Sequence, residues 1–370
     1  MCIRDSNFGD SIEGDLSRRD FTINCLALEL TTDEPQFIDL FNGVEDLAKK
    51  VLRAPVDPDV LFSDDPLRMM RAARFSAQLG FTVDPTITDS MTRMSERITI
   101  VSAERVHDEL VKLMMSPNPR LGLTLMVETG LAKYVIPELP QLKLEVDEHH
   151  HHKDVYEHTL TVLEQAIAQE ERLGGPNLVI RLAALLHDIG KPKTRELIPG
   201  GGVSFHHHEV VGSRMARERL NALRFDNQTI NDVKQLVFLH LRFHGYAGGE
   251  WTDSAVRRYV RDADHLLDHL HVLTRADCTT RNQRKAEALA RTYDSLEARI
   301  AKLKEEEELD AIRPDLDGNA IMQILNIPAS PIVGKAYAYM LELRLEHGPL
   351  GEERAKSELL NWWEANAPKT

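Results

Sequence analysis

Asp64-Asp65-Pro66-Leu67-Arg68-Met69-Met70-Arg71-Ala72-Ala73-Arg74-Phe75 opens the helical bulk of this 370-residue chain. Its apolar and basic residues alternate at helical spacing, which predicts a helix with one basic face. Asp65 and Arg68 stand three apart and are expected to share that face, with Arg71 and Arg74 continuing it one and two turns on. A carboxylate beside a guanidinium presents an acceptor next to a donor fork. That pair complements the amino donor and ring-nitrogen acceptor on the Watson–Crick edge of cytosine or adenine. Uracil and guanine present the reverse polarity. The further arginines suit the oxygens of a triphosphate, where planar donors bind in pairs. An ordinary amphipathic surface helix with internal ion pairs has the same spacing, so the surrounding motifs must decide.

Outward from this stretch the pattern is mainly α. Periodic apolar segments cover 66–79, 86–97, 102–115 and 119–130, punctuated by Gly80, Asp84-Pro85, Pro117, Pro119 and Gly130, with a break at Pro137 to Pro140. Before them, Phe21 to Leu30 and Gln36 to Phe41 have β-type composition and flank the polar turn at 31–35. Two strands make no stable sheet alone. Met1 to Ser6 resembles translated sequencing adapter, so an amino-terminal truncation is expected. No internal repeat or extended low-complexity tract is evident.

The formal net charge of −14 argues against a broad nucleic-acid-coating surface but not against a local basic face. The acidic run Glu305 to Glu308 reads as a solvated helix face. No run of about 18 apolar residues suggests a membrane span. Cys2, Cys25 and Cys278 form no metal-type pair and fit a reducing cytoplasm.

Gly14-Asp15-Leu16-Ser17-Arg18-Arg19-Asp20-Phe21-Thr22-Ile23-Asn24 resembles the signature of bacterial CCA-adding tRNA nucleotidyltransferases, of the poly(A) polymerase-like class. Asp39-Leu40-Phe41-Asn42-Gly43 is similar to that family's hinge, where glycine would let the backbone turn. The stretch at 64–75 resembles its amino-acid template, with Asp64 in place of the family's glutamate. Ser102 to Leu110 resembles its neck, and the wording is closest to actinobacterial members. The resemblance implies that Arg19, Asp20, Asn24, Asp65, Arg68, Arg71 and Arg74 contact incoming CTP or ATP, and that the tRNA acceptor arm is the partner, without DNA or membrane. It also implies Mg²⁺ held by an Asp-x-Asp pair upstream of Arg19. No such pair stands among the eighteen preceding residues, and Asp10 and Asp15 are poor substitutes. As it stands, the chain is expected to lack a complete transfer site.

A second constellation follows. His158, His187-Asp188, His208, His240 and Asp277 come in the order of an HD-domain metal centre. Imidazole and carboxylate donors suit Mn, Fe, Co, Ni or Zn and leave room for a metal-bound hydroxide that attacks a phosphoester. The HD pattern gives His158, His187, Asp188 and Asp277 to one metal and His208 and His240 to a second, with Lys191 steadying phosphate. His187-Asp188 interrupts a buried apolar run, which costs free energy unless the pair is ligated or hydrogen-bonded. His149 to His152 reads as a solvated linker.

The resulting expectation is a palm remnant of a mixed α/β nucleotidyltransferase domain (1–55), a helical neck (56–140), an HD domain (145–285) and a helical, tRNA-binding tail (286–370). The tail resembles the family at Leu316 to Asn319, Ile327 to Pro331 and Val333 to Lys335, and Trp362-Trp363 reads as packing. The competing readings are a metal-dependent HD phosphohydrolase acting on 2′,3′-cyclic phosphates, and a non-enzymatic RNA-binding fragment.

Overall fold

The computed structural model describes residues 11–31, 34–144, 155–198, 203–247, 251–280, 282–307 and 313–367. Cys2, Asp10, the His149 to His152 run and Glu308 lie outside them. The chain divides into two compact units, Met1–Phe238 and Leu239–Thr370.

The first unit begins with α1 (Ile12–Ser17), a 3-10 turn (Thr22–Asn24) and the antiparallel pair β1 (Leu26–Glu29) and β2 (Gln36–Asp39). Leu26 lies opposite Asp39 and Glu29 opposite Gln36. The strand expected from Phe21 therefore starts only at Leu26. Thr22 instead donates its backbone N–H to Arg53 O and its hydroxyl to the buried Asp46, which draws 21–25 into a turn.

Next come α2 (Gly43–Lys49), β3 (Val51–Leu52), α3 (Pro58–Asp64), α4 (Leu67–Leu79), β4 (Thr82–Val83), α5 (Pro85–Met94), α6 (Ala103–Met114) and α7 (Pro119–Glu128). β3 and β4 pair in parallel. The hinge works differently from the sequence expectation. The left-handed residue is Asn42, at φ 59°, while the Asp39 carboxylate accepts from the N–H groups of Gly43 and Val44 and caps α2. Gly43 is needed because a Cβ there would stand 2.3 Å from Thr22 O.

α4 packs against both α6 and α7. Leu67, Met69, Met70, Ala72, Ala73, Ser76 and Ala77 are all buried, so a narrow strip through Arg68, Arg71 and Phe75 stays partly open and leads to the exposed Gln78 and Leu79. That spacing of three and four is one helical ridge.

The unit continues through α8 (Ala132–Val135), α9 (Glu138–Gln141), α10 (Val155–Ile167), α11 (Leu178–Leu186), α12 (Lys191–Thr194), the antiparallel pair β5 (Glu196–Leu197) and β6 (Val203–Ser204), α13 (His208–Ala222) and α14 (Asn227–Leu239). Buried Arg181 of α11 grips both oxygens of Glu170 and donates to the carbonyls of Met114 and Ser116, tying this part to the end of α6.

The second unit contains α15 (Arg242–Ala247), α16 (Asp253–Ala263), α17 (Leu267–Asp277), α18 (Gln283–Glu307), α19 (Gly318–Leu325), α20 (Pro331–His347) and α21 (Glu352–Asn366). Ile321, Ala336, Met340, Ala355 and Leu359 form a core shared by the last three helices, against which Trp362 and Trp363 pack. Glu307, in the acidic stretch, is not merely solvated: both its oxygens accept from buried Arg257.

Candidate nucleotide pocket and metal centre

Arg19, Asp20, Asn24, Asp65, Arg68, Arg71, Phe75 and Arg105 line one cavity of about 570 Å³ in the first unit, within the size range of small-molecule sites. The loop after α1 supplies the first three, the α3–α4 junction and α4 the next four, and α6 supplies Arg105.

The base-reading pair is built differently from the sequence expectation. Asp65 and Arg68 do not share a helix. Pro66 lacks the N–H that would carry α3 onward, so Asp65 is the extended residue that closes α3, and α4 starts at Leu67. Nor do the two side chains bond to one another. Asp65 Oδ2 accepts from Arg105 at 2.7 Å, and its Oδ1 accepts from Leu67 N at 3.3 Å. Arg68 donates to the carbonyls of Leu61 and Arg18. A guanidinium has five N–H groups, so anchoring on two carbonyls fixes its plane and leaves three donors. A carboxylate has about four lone-pair sites, so Asp65 also retains capacity.

Asp20 works from behind. It is buried, its Oδ1 accepts from Asn24 Nδ2 and its own neighbour's N–H, and its Oδ2 accepts from Arg71 Nε at 2.6 Å. Asn24 thus pins the loop, and Asp20 orients Arg71 toward the strip it shares with Arg68. Arg19 donates to Asn24 O and to Asp15. Arg18 also binds Asp15, and these two hydrogen bonds hold the Asp15 carboxyl below its usual range.

Arg74 stands apart from these residues. It does not line the cavity but is buried, donating to Glu109 of α6 at 2.6 Å and to Gln78, with its guanidinium over the Phe75 ring. Spacing alone put it on the basic face; the close packing of α6 on α4 turns it inward. Arg105 is what sequence reasoning passed over. It stands inside the Ser102 to Leu110 segment but received no role there, and the readable signal was a cation one turn before Glu109.

The histidine–aspartate centre gathers around Asp188, just beyond the C-terminus of α11. Asp188 Oδ2 lies 3.1 Å from His187 Nε2, 3.5 Å from His158 Nε2 and 3.0 Å from Lys191 Nζ, and Oδ1 lies 3.3 Å from His208 Nε2. His187, Asp188, Lys191 and His208 are buried. His187 Nδ1 meets Ala184 O and His208 Nδ1 meets Phe205 O, each at 2.8 Å. A carbonyl only accepts, so both rings carry their proton on Nδ1 and turn Nε2 toward the carboxylate. Nε2 lone pairs facing a carboxylate repel unless a cation lies among them. This donor set fits a divalent metal, and the ligand atoms of His158, His187 and Asp188 all lie within 4.8 Å of one another. Burial raises the pKa of Asp188, but positive charge beside it, from His187 when its ring is protonated and from Lys191, outweighs burial and holds the carboxyl well below its ordinary value.

Of the three consecutive histidines, His206 and His207 are exposed and His208 is the buried one. Gly190 makes this possible. A Cβ there would stand 2.2 Å from His208 O, so only glycine lets α12 and α13 approach this closely. Lys191, expected at a phosphate, is placed on Asp188. His240 follows α14 and Asp277 ends α17, both in the second unit.

Residues 3–53 match the poly A polymerase head domain, 80–142 the probable RNA and SrmB-binding site of polymerase A, and 155–303 the HD domain. The A-adding tRNA nucleotidyltransferase of Deinococcus radiodurans is 31% identical over 364 residues, covering 97% of this chain and 81% of that protein. The chain belongs to the tRNA nucleotidyltransferase family. Another member, the CC-adding tRNA nucleotidyltransferase of Thermus thermophilus, is 31% identical over 362 residues, covering 95% of this chain and 77% of its own. In fold, this tRNA nucleotidyltransferase chain is similar to the Bacillus stearothermophilus CCA-adding enzyme in complex with CTP. The TM-score is 0.67 at 21% identity, over 96% of this chain and 75% of that one. The Thermotoga maritima CCA-adding enzyme complexed with tRNA gives 0.56 at 18% identity, covering 95% of this chain and 74% of that one. No described helix is long and apolar enough to cross a membrane.

Proposed function

We propose that the chain selects CTP and ATP for addition to the 3′ end of tRNA, in the cavity lined by Asp65 and four arginines. The observation that carries this reading is the convergence of Asp65, Arg68, Arg71, Arg19 and Arg105 on one site large enough for a nucleotide. Arg68, held flat by two carbonyls, offers donors to a ring nitrogen, and Asp65, steadied by Arg105, accepts from the exocyclic amino group. Arg71, braced by Asp20, and Arg19 bind phosphate oxygens. Arg74 contributes only by fixing α4 against α6.

Nucleotidyl transfer also needs Mg²⁺, which paired carboxylates would hold and which would supply Lewis-acid activation of the attacking 3′-hydroxyl and the departing pyrophosphate. We assign no described residue to that role, because Asp15 is held by Arg18 and Arg19 on a short helix rather than presented on a strand. The reading is therefore tested by binding. Equilibrium dialysis should show CTP and ATP retained at least about 10-fold more tightly than UTP and GTP, one good bidentate base contact being worth about 1–3 kcal/mol. Asp65→Ala and Arg68→Ala should each erase that preference. Equal binding of all four nucleotides by the unaltered chain would refute the selector role.

The geometry around Asp188 favours a second activity, metal-dependent phosphoester hydrolysis. His158, His187 and Asp188 would hold Mn, Fe, Co, Ni or Zn, with His208 on the other carboxylate oxygen of Asp188. Hydrolysis of 2′,3′-cyclic AMP that requires added metal and disappears in Asp188→Ala is the corresponding test.

A further inference from the structure

Across much of this acidic chain, arginines are spoken for by carboxylates: Arg181 by Glu170, Arg219 by Glu138, Arg257 by Glu307. A second cavity of the first unit breaks the pattern. It lies between α13 and α14, encloses about 620 Å³, and is lined by Arg214 and Arg217 from one helix and Lys234 from the other. None of these three cations makes an ion pair among the described residues. Arg214 and Arg217 are exposed and Lys234 is half-buried. The position of α13 explains the arrangement. Its opposite face packs on α12 and carries His208 toward Asp188, so its arginines, three residues apart, are left on the outer ridge. Ser213 and Gln235 add polar groups, and Phe238 supplies an apolar wall. Glu218, also in the lining, is the one carboxylate present and stands beside Arg217 in sequence.

Three cations around a single carboxylate, none of them in an ion pair among the described residues, repel one another on balance, a cost that a bound polyanion removes. Guanidinium forks match phosphate oxygens in pairs, and an aromatic wall beside a cationic track is how single-stranded nucleic acid is held without base reading. We infer that the groove between α13 and α14 binds the sugar–phosphate backbone of RNA, at a site separate from the nucleotide cavity. Arg214 and Arg217 grip adjacent phosphates, Lys234 closes on the same strand from α14, and Phe238 packs against a ribose or base. The inference rests on the tRNA substrate of the proposed function, but not on nucleotide binding in the first cavity.

The test measures binding of fluorescein-labelled tRNA lacking its CCA end by anisotropy, between about 50 and 200 mM salt. Arg214→Gln/Arg217→Gln should bind about 10-fold more weakly, and the slope of log K against log salt should fall by roughly 1.5 to 2, as for two lost phosphate contacts. Arg214→Lys/Arg217→Lys should retain the slope, which separates charge from folding. Lys49→Gln/Lys50→Gln, which removes two exposed cations elsewhere, should leave affinity and slope unchanged. An Arg214→Gln/Arg217→Gln protein that binds tRNA with the unaltered affinity and slope overturns the groove. So does a control pair with the same loss, since the effect would then be global charge. If the unaltered chain binds CTP but no tRNA, the groove proposal fails while the nucleotide reading stands.

Discussion

Cys25 shows how a single side chain records its surroundings. Its sulfur is fully buried, 3.2 Å from the carbonyls of Leu16 and Phe21, and burial pushes the thiol up to about 11. In the unfolded chain a cysteine ionises near 8.5. A folded-state value above the unfolded one gives a contribution that is complete below pH 8.5 and is lost as pH rises toward 11. The stability gap between the unaltered chain and Cys25→Ala, read from urea melts at pH 7.5 and 10.5, should shrink by about 2 kcal/mol. A gap independent of pH would mean the thiolate is tolerated in place. At this scale the sequence was readable where chemistry forces company: a His-Asp pair inside an apolar run cannot stand alone, and His158, Lys191 and His208 gather around Asp188. It was not readable where a side chain has two suitable partners on different elements. Asp65 could face Arg68 or Arg105, and only the break at Pro66 decides for Arg105.

Elements were more legible than contacts. The period of apolar residues located α4 through α7 to within a few positions, because burying one face is what holds such helices. The 21–25 segment misled, since β-type composition cannot reveal that Thr22 is captured by Asp46 and Arg53. Arg74 misled for a related reason. Spacing fixes angular position on a helix but not which neighbour covers that angle, and α6 covers this one. Its pair with Glu109 is almost fully buried, at 10% and 4% side-chain exposure. Breaking such a pair from one side leaves buried Glu109 with only the exposed Lys112 beside it, so Arg74→Met should cost about 3 kcal/mol in urea unfolding, the low end for a broken buried pair. Arg74→Met/Glu109→Leu should recover most of that loss. CTP affinity of the double variant should match the unaltered chain, because neither residue lines the cavity. A double variant as unstable as Arg74→Met, or one that loses CTP, would return Arg74 to the binding face.

For the molecule as a whole, a net charge of −14 coexists with two cavities in whose linings cations outnumber carboxylates. Composition argued against a basic coat but could not show where positive charge is locally in excess. The His–Asp centre adds a third charged locus, and its donor set predicts a response in stability that does not depend on turnover. A ligand that binds only the folded state stabilises it by RT ln(1 + [L]/Kd), about 2.7 kcal/mol at one hundred times Kd. Added Mn²⁺ should therefore raise the calorimetric melting temperature of chelator-treated protein by a few degrees, and EDTA should reverse the rise. His187→Ala and Asp188→Ala should abolish the shift while Arg68→Ala retains it, which distinguishes this centre from metal carried in with nucleotide. Gly190→Ala is the more demanding variant. It alters no donor, yet its Cβ would press His208 O from 2.2 Å and force α13 away from Asp188. A metal-induced shift that survives in Gly190→Ala would mean that His208 is not needed to hold the ion. Its loss would show that the spacing of α12 and α13, rather than the identity of the donors alone, sets the affinity.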